Sequence, residues 1–166
     1  MTPQLRMKRD DLLGLPALDL PAGYRLERAT AEQAPEVGAC AGAAFGEPWG
    51  EEWARKTLFE DPTVDSVLVI RAEDGQIAAT ATARSIPDRP EVGYVHFVGT
   101  RPEHTGRALG YLATLAVLHE FVRLGKTSAV LDTDDHRTAA IKTYRRLGFE
   151  PWMTDPSHPD RWAAIA

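Results

Sequence analysis

Apolar and polar positions alternate along this chain with two periods, and their order predicts an α/β domain. Tyr24-Arg25-Leu26-Glu27 alternates as a half-buried strand does. Thr30 followed by Gln33 reads as a capping box ahead of a helix carrying Ala34, Val37 and Ala41. A linker with Phe45, Pro48, Trp49 and Gly50 leads to a second, short helix holding Trp53, Leu58 and Phe59, which Asp61-Pro62 ends. Strands at Ser66 to Ile70 and Ile77 to Ala83 flank the hairpin signal Glu73-Asp74-Gly75. A longer loop, Ile86 to Pro90, precedes a strand from Val92 to Gly99. The helix after it runs from Ala108 to Leu124 with Leu112, Leu115, Leu118 and Val122 on one face, and Gly125 stops it.

Ala129-Val130-Leu131 is a wholly apolar strand, and Asp134 or Asp135 is placed to cap a further helix ending at Leu147-Gly148. The tail from Phe149, with Trp152 and Trp162, predicts a last strand or two. The order is βαα-ββ-βαβαβ. A helix between two successive strands implies a parallel crossover beside an antiparallel front half, hence a mixed sheet. Residues 1–22 read as an extended arm with apolar teeth at Leu13, Leu15, Leu18 and Leu20, and 23–166 as one folded domain. Such an arm lies against its own domain or a second copy, which leaves a homodimer open.

A length of 166 residues suits one core, and 43% hydrophobic with 26% charged residues is an ordinary globular balance. A formal charge of −5 argues against nucleic acid as a partner, because phosphate neutralisation needs a concentrated basic face. Cys40, the single cysteine, allows neither a disulfide within the chain nor a cysteine-built zinc site. It reads as a small core residue rather than a nucleophile. His104, His119, His136 and His158 lack metal-ligand spacing, so no metal is expected. No stretch is apolar for long enough to be a leader or a membrane span, and the expected location is the cytoplasm.

The segment Thr100-Arg101-Pro102-Glu103-His104-Thr105-Gly106-Arg107-Ala108-Leu109-Gly110 lies between strand and helix. Small residues at 106, 108 and 110 let the backbone approach a ligand, and unpaired N–H groups at a helix start favour an anion. Arg107 adds charge for phosphate. A tight turn before a helix would explain the same residues. Neither a dinucleotide fingerprint nor a P-loop is present.

This loop, with Arg137 to Phe149, resembles the two signature blocks of the GNAT acyltransferase superfamily, V-x-P-x-x-R/Q-G-x-G-x-G/A and N-x-x-A-x-x-x-Y-x-x-x-G-F. The resemblance spans Tyr24 to Phe149 and implies a GNAT fold, a mixed sheet of six or seven strands flanked by about four helices. It also implies acetyl-CoA as co-substrate. Local similarity extends to the mycothiol synthase branch through Leu112-Ala113-Thr114-Leu115 and Ala139-Ala140. Thr100 stands where the family prefers Val, Thr105 where it has Arg or Gln, Ala108 where it has Gly and Arg137 where it has Asn. A helical φ would let Ala108 substitute for Gly. Arg137 could reach a phosphate instead of the pantetheine arm, along which Ala140 also lies.

The resemblance implies further roles. The strands Val92 to Gly99 and Ala129 to Asp132 would splay around the pantetheine arm, with N–H groups at Phe97, Val98 and Gly99 as oxyanion donors and Gly99 easing a bulge. Tyr144 matches the tyrosine that protonates the leaving thiolate; a packed helix-face aromatic is the alternative. By alternation His96 shares a side with Tyr94 and Val98, and aralkylamine acetyltransferases have histidines at the positions of Tyr94 and His96. His96 is therefore either the base or a packed core histidine, with Glu91 and Asp88 in reserve. Phe45, Trp49 and Trp53 either wall the acceptor pocket or pack in the core. His158, Arg161 and Trp162 either bind a substrate carboxylate or close the tail. The implied function is N-acetylation of a small primary amine. Alternatives are acetylation of a protein or peptide, or a non-catalytic acetyl-CoA-binding regulator.

Overall fold

The computed structural model describes residues 2–165. Seven strands form one sheet in the order β2-β3-β4-β5-β6-β1-β7. In chain order these are β1 (Leu5–Arg9), β2 (Arg25–Arg28), β3 (Val64–Arg71), β4 (Ile77–Ile86), β5 (Arg89–Thr100), β6 (Ser128–Thr133) and β7 (Glu150–Trp152). The α-helices are α1 (Ala34–Phe45), α2 (Glu51–Ala54), α3 (Leu109–Arg123), α4 (Thr138–Arg146) and α5 (His158–Ala163). α2 continues into a π-helical turn over Arg55–Phe59. β5 and β6 pair in parallel and every other neighbouring pair is antiparallel. This is the expected mixed sheet.

β1 is the main departure from the expected order. The residues read as an arm contain a strand inserted between β6 and β7, pairing Leu5 with Thr133 and Lys8 with Glu150. Leu5 and Met7 are fully buried in the core. The teeth behind them divide: Leu15, Leu18 and Leu20 pack on the core, whereas Leu13 is exposed. The loop expected over Ile86 to Pro90 is instead a tight hairpin in which Ile86 pairs with Arg89. α4 begins at Thr138 behind Arg137, so neither Asp134 nor Asp135 caps it.

Two apolar layers clamp the sheet. Leu109, Leu112, Leu115, Leu118 and Phe121 of α3 bury against Leu68, Ile70, Ala79, Ala81, Ala83 and Val95 on one face. α1 and the π turn cover the other face through Val37, Cys40, Leu58, Val67 and Val69. That second layer stops at β5. Over β6, β1 and β7 the same face stays open as a trough of about 350 Å³, lined by Arg6, Lys8, Val92, Tyr94, Val130 and Trp152 among others.

The tail closes onto β1. Thr154 N–H donates to Nδ1 of the buried His158, whose Nε2 bonds the carbonyl of Gln4, and Arg161 bonds the carbonyl of Pro3. Of the two readings of His158, Arg161 and Trp162, the structure supports the closure of the tail.

Candidate active site

β5 and β6 pair only from Val92–Ser128 to Val95–Leu131. Beyond Val95 the strands part, and β5 has no sheet neighbour on that side. A bulge in β5 marks the place: on the β4 side the register passes from Thr82–His96 to Thr80–Gly99, so two residues of β5 oppose one of β4. Phe97 takes φ 49°, the left-handed region where a bulky residue is a real outlier. Strain of this kind gathers at functional sites.

The bulge also resets the alternation. His96 faces the cavity on the open side and Phe97 packs on the α1 layer, but Val98 packs on the α3 side with Val95. His96 and Val98 therefore do not share a face, contrary to the strict period of two. Gly99 is not the residue that supplies the bulge. A Cβ there would lie 2.7 Å from Cβ of Ala44, so this glycine lets the end of α1 lie against the strand.

Two cavities meet at the split. One, of about 530 Å³, lies between the end of α1, β5, the end of β6 and the start of α4; Phe45, Glu47, Trp49, His96, Asp132, Asp134 and Tyr144 line it. The other, of about 280 Å³, runs to the start of α3 past Thr100, Thr105, Gly110, Thr114 and Ala140. Ala44, Val98, Arg137 and Tyr144 border both, so the two form one path. Of the site residues expected from the sequence, Arg107, Ala108 and Leu109 border neither cavity, whereas Phe97, Val98, Gly99, Thr100, Thr105, Gly110, Arg137, Ala140, Tyr144 and His96 all line this path. Glu91 does not. It sits exposed at the opposite end of β5, where its carbonyl accepts the Thr127 N–H, five residues before His96 and so ~16 Å away along the strand.

At the α3 end the first backbone bond of the helix runs from Leu112 N–H to Ala108 C=O, which leaves the N–H groups of Leu109, Gly110 and Tyr111 ahead of it. A Cβ built on Gly110 would meet only Thr100 Oγ1, at 3.8 Å, and the residue borders the cavity. Ala108 has φ 60°, not the helical φ expected of it. Thr105 turns its hydroxyl onto the Pro102 carbonyl, and Arg107 is exposed, its guanidinium 3.3 Å from the Glu103 carbonyl. His104 anchors the loop, with Nδ1 2.8 Å from the Tyr24 hydroxyl.

Burial raises the pKa of the Tyr144 hydroxyl, which keeps its proton, and the neighbouring Arg137 works against that rise. Phe45, Trp49 and Phe97 form a half-buried aromatic wall, with Trp53 stacked behind Trp49 at 4.2 Å. Arg137 lies over the Phe45 ring at 5.1 Å. His96 stacks on Phe97 and places Nδ1 2.6 Å from a guanidinium nitrogen of Arg84. Burial first, and Arg84 second, push its pKa down to about 4, far from the ordinary imidazole value expected of a base. Asp132 accepts the Tyr94 hydroxyl at 2.7 Å and pairs with Arg6 at 3.1 Å.

Sequence reasoning passed over Asp132, Asp134, Glu47 and Arg84. Asp132 could have been found, since ligands gather at the carboxyl ends of parallel strands in open α/β sheets. Arg84 could not: its contact with His96 depends on the β4–β5 register.

A split parallel pair ending at a helix N-terminus is the architecture the two sequence blocks imply. The Acetyltransferase (GNAT) family profile matches residues 29–149. The chain belongs to this family. A mycothiol acetyltransferase of Mycobacteroides abscessus is 36% identical over 104 residues, covering 60% of this chain and 35% of that protein. A putative GNAT acetyltransferase from Novosphingobium aromaticivorans superposes with TM-score 0.69 at 27% identity, over 90% of this chain and 60% of its own. A GCN5-related N-acetyltransferase from Kribbella flavida gives TM-score 0.63 at 31% identity, over 90% and 54%. The chain thus spans about a third of that mycothiol acetyltransferase and between half and two thirds of these two structures.

The family implies acetyl-CoA, and the residues fit it. The free N–H groups and the unobstructed approach at Gly110 suit a pyrophosphate, and the gap between β5 and β6 suits a narrow amide-bearing arm. Among the described residues no cluster of metal-ligating side chains occurs, and no helix is long and apolar enough to cross a membrane.

Proposed function

We propose that this chain is an acetyl-CoA-dependent N-acetyltransferase that acylates the primary amine of a small molecule. The observation that carries the reading is the continuous path from the α3 N-terminus, past Tyr144, to the aromatic and acidic cavity at the bulge. When bound, acetyl-CoA supplies an acyl group activated as a thioester. The chain's own groups do the rest. N–H groups of Leu109 and Gly110 hold the phosphate end. Backbone N–H groups at Phe97 to Gly99, on the unpaired edge of β5, polarise the acyl carbonyl. Tyr144, protonated and at the border of both cavities, donates toward the leaving sulfur. Glu47, Asp132 and Asp134 attract an ammonium, and Asp132 is the carboxylate placed to take its proton, directly or through water.

Thiol release from acetyl-CoA, followed over a panel of amines, amino acids, polyamines, aminoglycosides and peptides, tests the reading. Binding without turnover for every acceptor would make the chain a regulator that senses acetyl-CoA. A second reading, acylation of a peptide N-terminus, is favoured by the open trough, which joins the acceptor cavity at Tyr94 and Asp132. Higher kcat/KM for tetrapeptides than for the matching free amino acids would select it.

A further inference from the structure

His96 is the one imidazole facing the acceptor cavity from the central strand, and its surroundings decide what it can do. Arg84 on β4 approaches Nδ1 at 2.6 Å. A guanidinium has only donors, so Nδ1 must present its lone pair. The remaining ring nitrogen, Nε2, then carries the hydrogen whenever the ring is neutral. Nε2 has no hydrogen-bond partner among the described residues, and the side chain borders the cavity. Arg84 is itself fixed. It pairs with Asp61, and Thr63 Oγ1 accepts from it at 3.0 Å, while Asp61 accepts the Thr63 hydroxyl at 2.7 Å.

We infer that Asp61, Thr63 and Arg84 lock His96 as the neutral tautomer protonated on Nε2, making it a fixed hydrogen-bond donor to the acceptor rather than a base. A base needs a free lone pair, and the one this ring has is taken. Protonating Nδ1 would aim an N–H at a cation. The charged groups around the ring pull in both directions. Arg84 and burial oppose a second proton, whereas Asp132 on β6 and Asp61 before β3 favour it. Tyr94 of β5 lies edge-on to the ring at 5.1 Å, and Glu47, Asp134, His136 and Arg137 face the same cavity from the end of α1 and the approach to α4, with Tyr144 on α4 itself. Contact with Arg84 outweighs the two carboxylates because it is direct.

A fixed N–H cannot help an amine nitrogen, whose lone pair must stay free to attack. It can hold an oxygen next to that amine. The inference therefore narrows the acceptor, on the reading proposed above, to amines with a neighbouring hydroxyl, carbonyl or carboxylate oxygen. Arg84, Asp61 and Thr63 act through His96 and are positioning residues.

Nitrogen-15 correlation spectra of the histidine rings in the folded, ligand-free protein test the lock without any substrate. The expected result is a protonated Nε2 and an unprotonated Nδ1 for His96, unchanged from pH 5.5 to 8.5. In Arg84→Met the ring should begin to titrate, its midpoint rising toward the ordinary ~6.5. A wild-type His96 that titrates between pH 6 and 7, or that carries its proton on Nδ1, would overturn the lock. The donor role is read from kinetics with 2-aminoethanol and ethylamine. His96→Ala should lower kcat/KM roughly tenfold more for the first than for the second, and His96→Gln should restore part of the difference. Equal losses for the two amines overturn the donor role. Absence of turnover with every amine counts against the proposed function, while the spectra still decide the tautomer.

Discussion

Tyr144 sits at the junction of the two cavities, buried and protonated, with its hydroxyl unclaimed by any described residue. Tyr144→Phe keeps the packing and removes the proton donor. We expect kcat to fall by about 10²–10⁴-fold with little change in acetyl-CoA affinity, measured where chemistry limits the rate. A wild-type kcat would reduce Tyr144 to a packing residue. Its position was legible because the second sequence block fixes which helix face it occupies. Ala108 was not. A non-glycine at φ 60° costs about 1–2 kcal/mol, and no periodicity signals a left-handed residue one step before a helix. Ala108→Gly relieves that strain but frees the unfolded chain, so the net expectation is a gain of up to about 1 kcal/mol in a urea melt. A loss would mean that the methyl group makes a contact that outweighs the strain.

At the scale of elements, helix α3 does two jobs with its two ends. Its N-terminus faces the cavity, where Gly110→Asp would place bulk and negative charge against a phosphate. Since a Cβ there meets only Thr100 Oγ1, at 3.8 Å, the fold should survive while acetyl-CoA binding by calorimetry is lost. Retained affinity in the folded variant would remove the loop from the site. Near the other end, the almost buried Glu120 receives Arg123 at 2.7 Å, Arg28 of β2 at 2.7 Å, and the Ser66 hydroxyl of β3. Arg123 first, then Arg28 and Ser66, hold its carboxyl down to about 2 against the cost of burial. The unfolded chain protonates near 4.5, so this stabilisation is whole above that pH and disappears as pH falls toward 2. It amounts to ~2 kcal/mol once screening of the half-exposed arginines is allowed for. Glu120→Gln should therefore be less stable at neutral pH and lose less of its stability between pH 4.5 and 2. Parallel acid slopes for both proteins would show the network to be idle. Helix α3 and the β3–β4 hairpin were readable because their periods run long. The bulge was not, because one residue shifted between strands leaves no trace in the pattern of apolar positions.

For the molecule as a whole, the strand that escaped sequence reading is β1. Leu5-Arg6-Met7-Lys8-Arg9 alternates, but over five residues with three charges, too short and too basic to stand out from an arm. Its charged side chains are explained by the open trough, where Arg6 and Lys8 border solvent while Leu5 and Met7 fill the core. Met7→Ala should cost about 2–5 kcal/mol in a urea melt, with Lys8→Ala close to wild type. Similar melts for both would mean that β1 contributes little to the sheet.

The place of β1 also sets an order of events in time. This segment is synthesised before its two sheet partners, around Thr133 and Trp152, which lie more than a hundred residues further along the chain. At ~5–20 residues per second the nascent strand waits on the order of ten seconds with its leucine and methionine uncovered. Until β6 emerges there is no edge for it to join, and β7 has no edge until β1 has docked. The central sheet therefore closes late, by the most distant pairing in the chain, and that pairing is the slow step expected when folding is followed from the unfolded state.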